Sequence, residues 1–412
     1  MFTVLRRREF VKTIALSIAG LSARTKLMCS SMHGERCPVK LSEKENLVVL
    51  TTLDEVVKAG TNLKNSAVKG VNLASLNADY WRRVTASNVF FLGCVFDQLE
   101  SQEILLHKGA LIFPKVDGLP YDPYRLGLYT PDELNSEVRP GTTLDAAIYQ
   151  SFMAKGKFNP DIMEALMRRI HDDSIDGALE NLIERKGPER VVGIMGGSSN
   201  LRTDEWYQRT AELTWHLARS SYFVMSGGGP GMMEAANLGA YMANYDAEAL
   251  KTALGILASA PDPKQATYAQ AANTVKKQFT NRAESLGIPT WFYGFEPTNL
   301  FATSVAKYFA NSIREAGMLQ IAEAGVVFVP GSAGTRQEVF MEAAQDHYGT
   351  TGFYSPMVFL GTKQYKVDAP IFPLLEIVAK GKAYADFLFI TDDPREVLDF
   401  IKSHPPKPAS TS

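Results

Sequence analysis

Read for the spacing of its apolar positions, the chain changes character twice. Over residues 46–149, short apolar pieces alternate with polar, Gly and Pro breaks. Residues 47–50, 89–96 and 110–113 have the length and content of strands, and helical periodicity is scarce. Val68 and Leu73 stand five apart, as do Phe91 and Phe96, a faint echo of the five-residue repeat of β-solenoids. The segment 114–129, rich in Pro, Asp and Tyr, has the composition of an ordered loop. These features predict a small, mainly β domain over 44–150. The register then shifts. Ile162, Leu166 and Ile170, then Ile175, Leu179 and Leu182, fall at helical spacing. They predict a helical connector over 151–187, which Gly187-Pro188 closes.

Beyond that break, strand and helix patterns alternate. Apolar runs at 191–195, 222–225, 290–293, 325–329, 356–360 and 388–391 predict strands. Amphipathic stretches at 204–218, 231–245, 303–316, 371–380 and 394–402 predict the helices between and after them. Short, fully apolar strands alternating with helices imply a parallel sheet covered on both faces, here over 188–404. The Ala-, Lys- and Gln-rich stretch 247–278 interrupts the alternation and is expected to be a helical insertion. Residues 405–412 are expected to form a disordered tail.

Composition narrows the possible functions. The net charge is −2 and Lys and Arg are scattered, so no basic stripe marks a nucleic-acid surface. Cys29, Cys37 and Cys94 form no Cys-x-x-Cys pair, and the six histidines show no metal-ligand spacing. Neither a metal nor a cofactor is predicted. No apolar stretch is long enough for a membrane span, so no membrane partner is expected. Within the 1–43 tail, Arg7-Arg8 precedes a short apolar stretch at 13–23, like a twin-arginine export signal. The ligands expected of the following domain are intracellular. That favours a cytoplasmic protein, with export through Arg7-Arg8 as the alternative.

Candidate chemistry lies where strands meet Gly-rich turns. Val327-Phe328-Val329 runs into Pro330-Gly331-Ser332-Ala333-Gly334-Thr335, with a helix expected from Thr335. Glycines let the backbone turn sharply and approach a ligand. The free N–H groups opening that helix, together with its dipole, favour an anion such as phosphate. A second turn, Ser226-Gly227-Gly228-Gly229-Pro230-Gly231, leads into Met232, Glu234 and Asn237. A third, Gly196-Gly197-Ser198-Ser199-Asn200, follows the first strand. Sheets of this kind bind ligands at the carboxyl ends of their strands, where all three turns fall. Gly196, Ser198, Ser199, Gly228, Gly229, Met232, Glu234 and Asn237 are therefore candidate nucleotide contacts. Gly331, Ser332, Ala333, Gly334 and Thr335 are candidate phosphate contacts. Trp291 and Tyr293, at another strand end, are candidates for stacking on a base, with core packing the simpler reading.

Pro330 to Glu338 resembles the Pro-Gly-Gly-x-Gly-Thr-x-x-Glu signature of the Lonely Guy (LOG) family, and Ser226 to Asn237 resembles that family's second glycine-rich motif. The resemblance spans about half the chain and suits a longer branch with an extra N-terminal region. It implies a Rossmann-like α/β fold, a homodimer or higher homo-oligomer, and a phosphoribohydrolase (nucleosidase) activity. That hydrolase splits a nucleoside 5′-monophosphate into free base and ribose 5-phosphate. By the same resemblance Glu338 and Arg314 are the catalytic pair. Two departures stand out: Ser332 replaces the second Gly of the signature, and Arg314 is followed by Glu315 where the family usually has Lys. Cleavage builds positive charge on the ribose, and a carboxylate one turn into the phosphate-binding helix is suited to stabilise it. The alternative is a non-catalytic nucleotide-binding or sensing protein.

Overall fold

The structure, a computed structural model, describes residues 47–409. Arg7, Arg8 and the rest of the 1–43 tail lie outside the described residues, as do 410–412. Two compact units divide between Asp117 and Gly118.

The first unit is a coiled ladder. Strands β1 (Val48–Leu50), β2 (Ser66–Lys69), β3 (Val89–Leu92) and β4 (Leu111–Phe113) form one parallel sheet in chain order. Short helices at Leu53–Ala59, Ala78–Arg83 and Leu99–His107 return the chain between strands, although little periodicity announces them. The first is opened by a capping box in which Thr52 and Glu55 each satisfy the other's backbone N–H. Ser66 pairs with Val89 and Val68 with Phe91, and isolated bridges join Asn62 to Thr85 and Asn72 to Val95. Every one of these partners lies 23 residues away. The five-residue spacing noted in the sequence is therefore one pair of core positions met twice, a coil apart. Asn65 (φ 58°) and Asn88 (φ 56°) occupy the same left-handed corner of successive coils, and Asn88 Nδ2 donates to Asn65 Oδ1 at 3.0 Å. Val68, Leu73, Trp81 and Phe91 are fully buried inside the coil. Each such aliphatic or Phe side chain contributes about 2 kcal/mol.

The second unit includes residues that the sequence assigns to the small domain and the connector. Its first elements are a short helix (Pro131–Leu134) and a hairpin, β5 (Glu137–Arg139) and β6 (Thr142–Thr143), followed by helices Leu144–Ala154 and Ile162–Lys186. The division falls at 117/118 rather than at 150 because these residues are keyed into the larger core. Asp145 accepts from Trp291 Nε1 (2.7 Å) and Lys307 Nζ (2.9 Å), and Tyr129 exchanges backbone hydrogen bonds with Val305.

Seven parallel strands follow. They are β7 (Val191–Met195), β8 (Phe223–Ser226), β9 (Leu286–Gly287), β10 (Ser304–Val305), β11 (Gly325–Phe328), β13 (Met357–Leu360) and β14 (Leu388–Thr391). Their order is β10-β9-β8-β7-β11-β13-β14, a Rossmann-like sheet. Helices cover both faces. Val327, Val329, Val358 and Leu360 join Leu213, Leu217, Val397 and Ile401 in one cluster. From the alternate positions Phe328 stacks on Phe359, which meets Phe372. The stretch 247–278 forms helices Ala247–Ala258 and Tyr268–Gln278, packed on Tyr207, Leu238 and Tyr241.

Three expectations need correction. Residues 290–293 are not a strand; the paired segment is Leu286–Gly287, and Trp291 turns into the core to meet Asp145. The helix expected over 303–316 is instead β10 followed by helix Asn311–Gln320. The tail is not wholly irregular, because β15 (Lys407–Pro408) pairs antiparallel with β12 (Phe353–Tyr354).

Candidate functional site

The strand order reverses between β7 and β11, and the three glycine-rich turns leave the carboxyl ends of these two strands and of neighbouring β8. Backbone bonds tie the turns together. Gly197 N–H donates to Pro330 O (3.1 Å), and Met232 N–H donates to Gly197 O (2.9 Å). Two glycines are required by contact, and Gly231 by conformation as well. A Cβ on Gly231 (φ 68°) would lie 2.5 Å from Gly197 O, and one on Gly331 would lie 2.1 Å from Thr335 Oγ1.

The turn after β11 opens helix Ala333–Tyr348. The helix starts two residues before the expected Thr335, so Ala333 and Gly334 belong to its first turn. No side chain caps it, and Ser332, Ala333 and Gly334 are exposed. The first intrahelical bond of the turn is Arg336 N–H to Ser332 O (3.1 Å). The N–H groups of Ala333, Gly334 and Thr335 precede it and point out of the helix end, where the macrodipole also favours an anion. Thr335 itself is 4 % exposed and packs on Gly331.

One turn further along, Glu338 is 9 % exposed. Burial raises its carboxyl to about 7; Arg314 opposes that shift and Glu315 adds to it. Arg314, on helix Asn311–Gln320, is buried and fixed at three points. Its Nη1 donates to Ile288 O (2.9 Å), its Nε to Asn311 Oδ1 (3.0 Å), and its Nη2 lies 3.5 Å from Glu315 Oε1. The structure thus brings Arg314 and Glu338 into electrostatic contact beside the open helix end. A carboxyl that titrates near neutrality, next to a fixed guanidinium and an open helix N-terminus, can exchange a proton with water, and in its ionised form can stabilise positive charge close by.

Other predicted residues are committed elsewhere. Glu234 is buried and accepts from Arg202 Nε (2.8 Å) and Nη2 (2.7 Å), Tyr207 (2.9 Å) and Tyr268 (2.7 Å). Its carboxylate closes a structural network and is not offered to a ligand. Asn237 is spent in the same way, accepting from Ser226 and Asn299 and donating to Ser285 and Leu286. Met232 is fully buried in the core beneath Gly196. Gly228 and Gly229 sit in the turn after β8, where Asn299 holds both carbonyls. Ser198 is half-buried and Ser199 exposed at the mouth of the first turn. Trp291 is a core residue, whereas Tyr293 is exposed and donates to Glu315 Oε1 (3.2 Å).

Several residues that complete the site carry no periodic signal in the sequence. Asp172, on helix Ile162–Lys186, accepts from the N–H groups of Phe309 (3.0 Å) and Ala310 (2.8 Å), which fixes the start of the Arg314 helix. Glu315 links that helix to the next by accepting from Gln337 Nε2. Gln337 lies inside the signature, yet its variable position there gives no reason to single it out. Among the described residues, no group of three or more His, Cys, Asp or Glu is placed to hold a metal, and no helix is long and apolar enough to cross a membrane.

Compared with known proteins, residues 189–272 match the model of the SLOG cluster4 family. That stretch carries the turns after β7 and β8, and the match is consistent with the LOG resemblance. No curated protein matches the chain. Among solved structures, the chain is similar to the molybdenum cofactor binding protein of Rippkaea orientalis, at 14 % identity and a TM-score of 0.34 over 52 % of this chain and 95 % of that one. It is likewise similar to the Moco carrier protein of Chlamydomonas reinhardtii, at 14 % identity and a TM-score of 0.33 over 52 % and 95 %. A third similar structure is that of TM1055, at 16 % identity and a TM-score of 0.32 over 52 % and 99 %.

Proposed function

We propose that this LOG-like chain hydrolyses the N-glycosidic bond of a nucleoside 5′-monophosphate, releasing free base and ribose 5-phosphate. The observation that carries the reading is the position of Glu338. Its buried carboxyl, raised to about 7, stands one turn behind the uncapped N-terminus of its own helix and acts against Arg314. The 5′-phosphate is seated on the N–H groups of Ala333, Gly334 and Thr335, with the Ser332 hydroxyl beside it. The ribose then lies over Glu338. As the C1′–N bond lengthens, the carboxylate stabilises the cationic ring and takes a proton from the attacking water. Arg314 holds negative charge, on the phosphate or on the departing base.

Incubation of the purified protein with a panel of nucleoside 5′-monophosphates, with chromatography for released base, tests the reading. Base and ribose 5-phosphate in equal amounts support it. Tight binding without release in every case would replace it with the sensing role.

A further inference from the structure

Beside the candidate pair lies a cavity of about 540 Å³, walled by helix Ile162–Lys186, the start of helix Asn311–Gln320 and the outer side of helix Ala333–Tyr348. Asn311, Glu315, Gln337 and Met341 line it, so it adjoins Arg314 and Glu338 through their immediate neighbours. From Gly334 to Met341 the helix rises about 10 Å, comparable with the length of a nucleotide.

The charges around this cavity do not cancel. The Asp172 carboxylate is occupied by the N–H groups of Phe309 and Ala310 and by His171 Nδ1 (3.1 Å). Glu315 is held by Tyr293, Gln337 and Arg314. Arg168 is spent on Glu164 and on the carbonyls of Gly156 and Phe152. Lys157 and Arg169 also line the cavity, and neither has an ion pair or hydrogen bond among the described residues. Lys157 Nζ stands 4.2 Å from the ring centre of Phe292 and 4.9 Å from that of Phe158, whose rings meet edge to face. Two cations without a direct ion-pair partner therefore border an aromatic wall, and cations outnumber carboxylates three to two in the lining.

We infer that this cavity receives the leaving base, and that the base it takes is planar and anionic. The inference rests on the phosphoribohydrolase reading and narrows its substrate class. Aromatic rings supply the faces for a planar group, and the two cations supply its countercharge. The chemistry gains as well. When the C1′–N bond breaks, the electron pair goes to the base nitrogen while water oxygen bonds to C1′. The proton lost by water goes to Glu338 and from there to the base. Fixed cations beside the base stabilise the negative charge that develops on it before that proton arrives.

The test compares orotidine and xanthosine 5′-monophosphates, whose bases are ionised near neutral pH, with adenosine and cytidine 5′-monophosphates. Wild-type kcat/KM is expected to be higher for the anionic pair by about tenfold or more. Lys157→Ala with Arg169→Ala should abolish that preference, lowering kcat/KM for the anionic pair about tenfold more than for the neutral pair, and Arg169→Lys alone should keep it. Both side chains reach solvent, so the fold is expected to survive, and circular dichroism checks this. Hydrolysis without the preference, or with a preference that ignores the double substitution, would overturn the inference and leave the glycosidase reading standing. If no nucleotide is hydrolysed, that reading fails instead, and calorimetry decides the inference. Tighter binding of the anionic pair, lost in the double variant, would uphold it, and equal binding would end it.

Discussion

The hydroxyl of Thr335 fills the space that a side chain on Gly331 would need: a Cβ there would lie 2.1 Å from Thr335 Oγ1. The turn and the first helical residues are therefore packed as one piece, and the anion seat depends on that fit. Gly331→Ala should push Thr335 and the helix start apart at a cost of about 1–3 kcal/mol. Nucleotide affinity, measured by calorimetry, should fall about tenfold or more. Gly334→Ala is the control, since a Cβ there meets nothing within 4 Å. Equal loss in both variants would show that the turn does not seat the ligand.

Glu338→Gln should keep the fold and nucleotide binding and lower kcat by about 10²-fold, the cost of one well-placed electrostatic group. The working form of Glu338 is the carboxylate. Because its carboxyl titrates at about 7, wild-type kcat should rise with pH through that value and then level off. A pH-independent rate between 5 and 9, or turnover that survives the substitution, would remove Glu338 from the chemistry.

Dependence on the 5′-phosphate follows from the uncapped helix end. Nucleosides without phosphate lose the charge-assisted bonds to Ala333, Gly334 and Thr335. They should react about 10²-fold more slowly in kcat/KM than their monophosphates. Comparable rates for both would show that the anion seat is not used.

Glu342 and Asp346, one turn apart on the same helix, are both buried, and each has one oxygen without a hydrogen-bond partner. Burial raises both carboxyls, that of Asp346 to about 7. The unfolded chain gives up these protons at lower pH than the folded one. The contribution of Asp346 to stability is therefore complete below about pH 4 and is lost as pH rises through about 7, and that of Glu342 falls away in the same direction. Asp346→Asn should make the protein more stable than wild type at pH 8, by about 2 kcal/mol, and the advantage should vanish near pH 4. Urea unfolding at the two pH values measures this, and parallel stability curves would refute it.

Glu234→Gln should act on stability instead of on chemistry. It leaves the Arg202 guanidinium buried without its countercharge, at a cost of about 3–5 kcal/mol. The melting temperature should drop while kcat of the folded fraction stays within about twofold. A selective loss of kcat with an unchanged melting temperature would return Glu234 to the ligand site.

Much of this was legible where apolar pattern and glycine punctuation coincide. Val191–Met195 and Gly325–Phe328 are strands because five and four consecutive buried residues leave little else for them to be. The placement of Glu338 one helical turn behind the glycine-rich turn is legible because turn, helix and carboxylate are contiguous. The engagement of Glu234 is not legible in the sequence, because its partners Arg202, Tyr207 and Tyr268 come from distant segments and no local pattern marks a buried acid as already paired. Asp172 and Lys157 escaped notice for the same reason: their importance comes from what the fold brings against them. Residues 290–293 look like a strand because Trp291 and Tyr293 have β propensity, but a buried hydrogen bond to Asp145 outweighs that tendency.

The coil of the first unit has a consequence for how that part of the molecule can change. Each turn hydrogen-bonds to the turns beside it, with strand partners 18, 23 and 21 residues apart in successive coils. Losing one residue inside Ser66–Lys69 or Val89–Leu92 would shift that strand's register and turn core side chains outward, whereas the connecting helices and loops take up differences in length. Losing a whole coil would bring equivalent positions back into register. This unit can therefore lengthen or shorten in whole turns far more readily than it can absorb a single-residue slip within a strand. Relatives that differ in this region should keep the strands and vary in the connections between them, or in the number of coils.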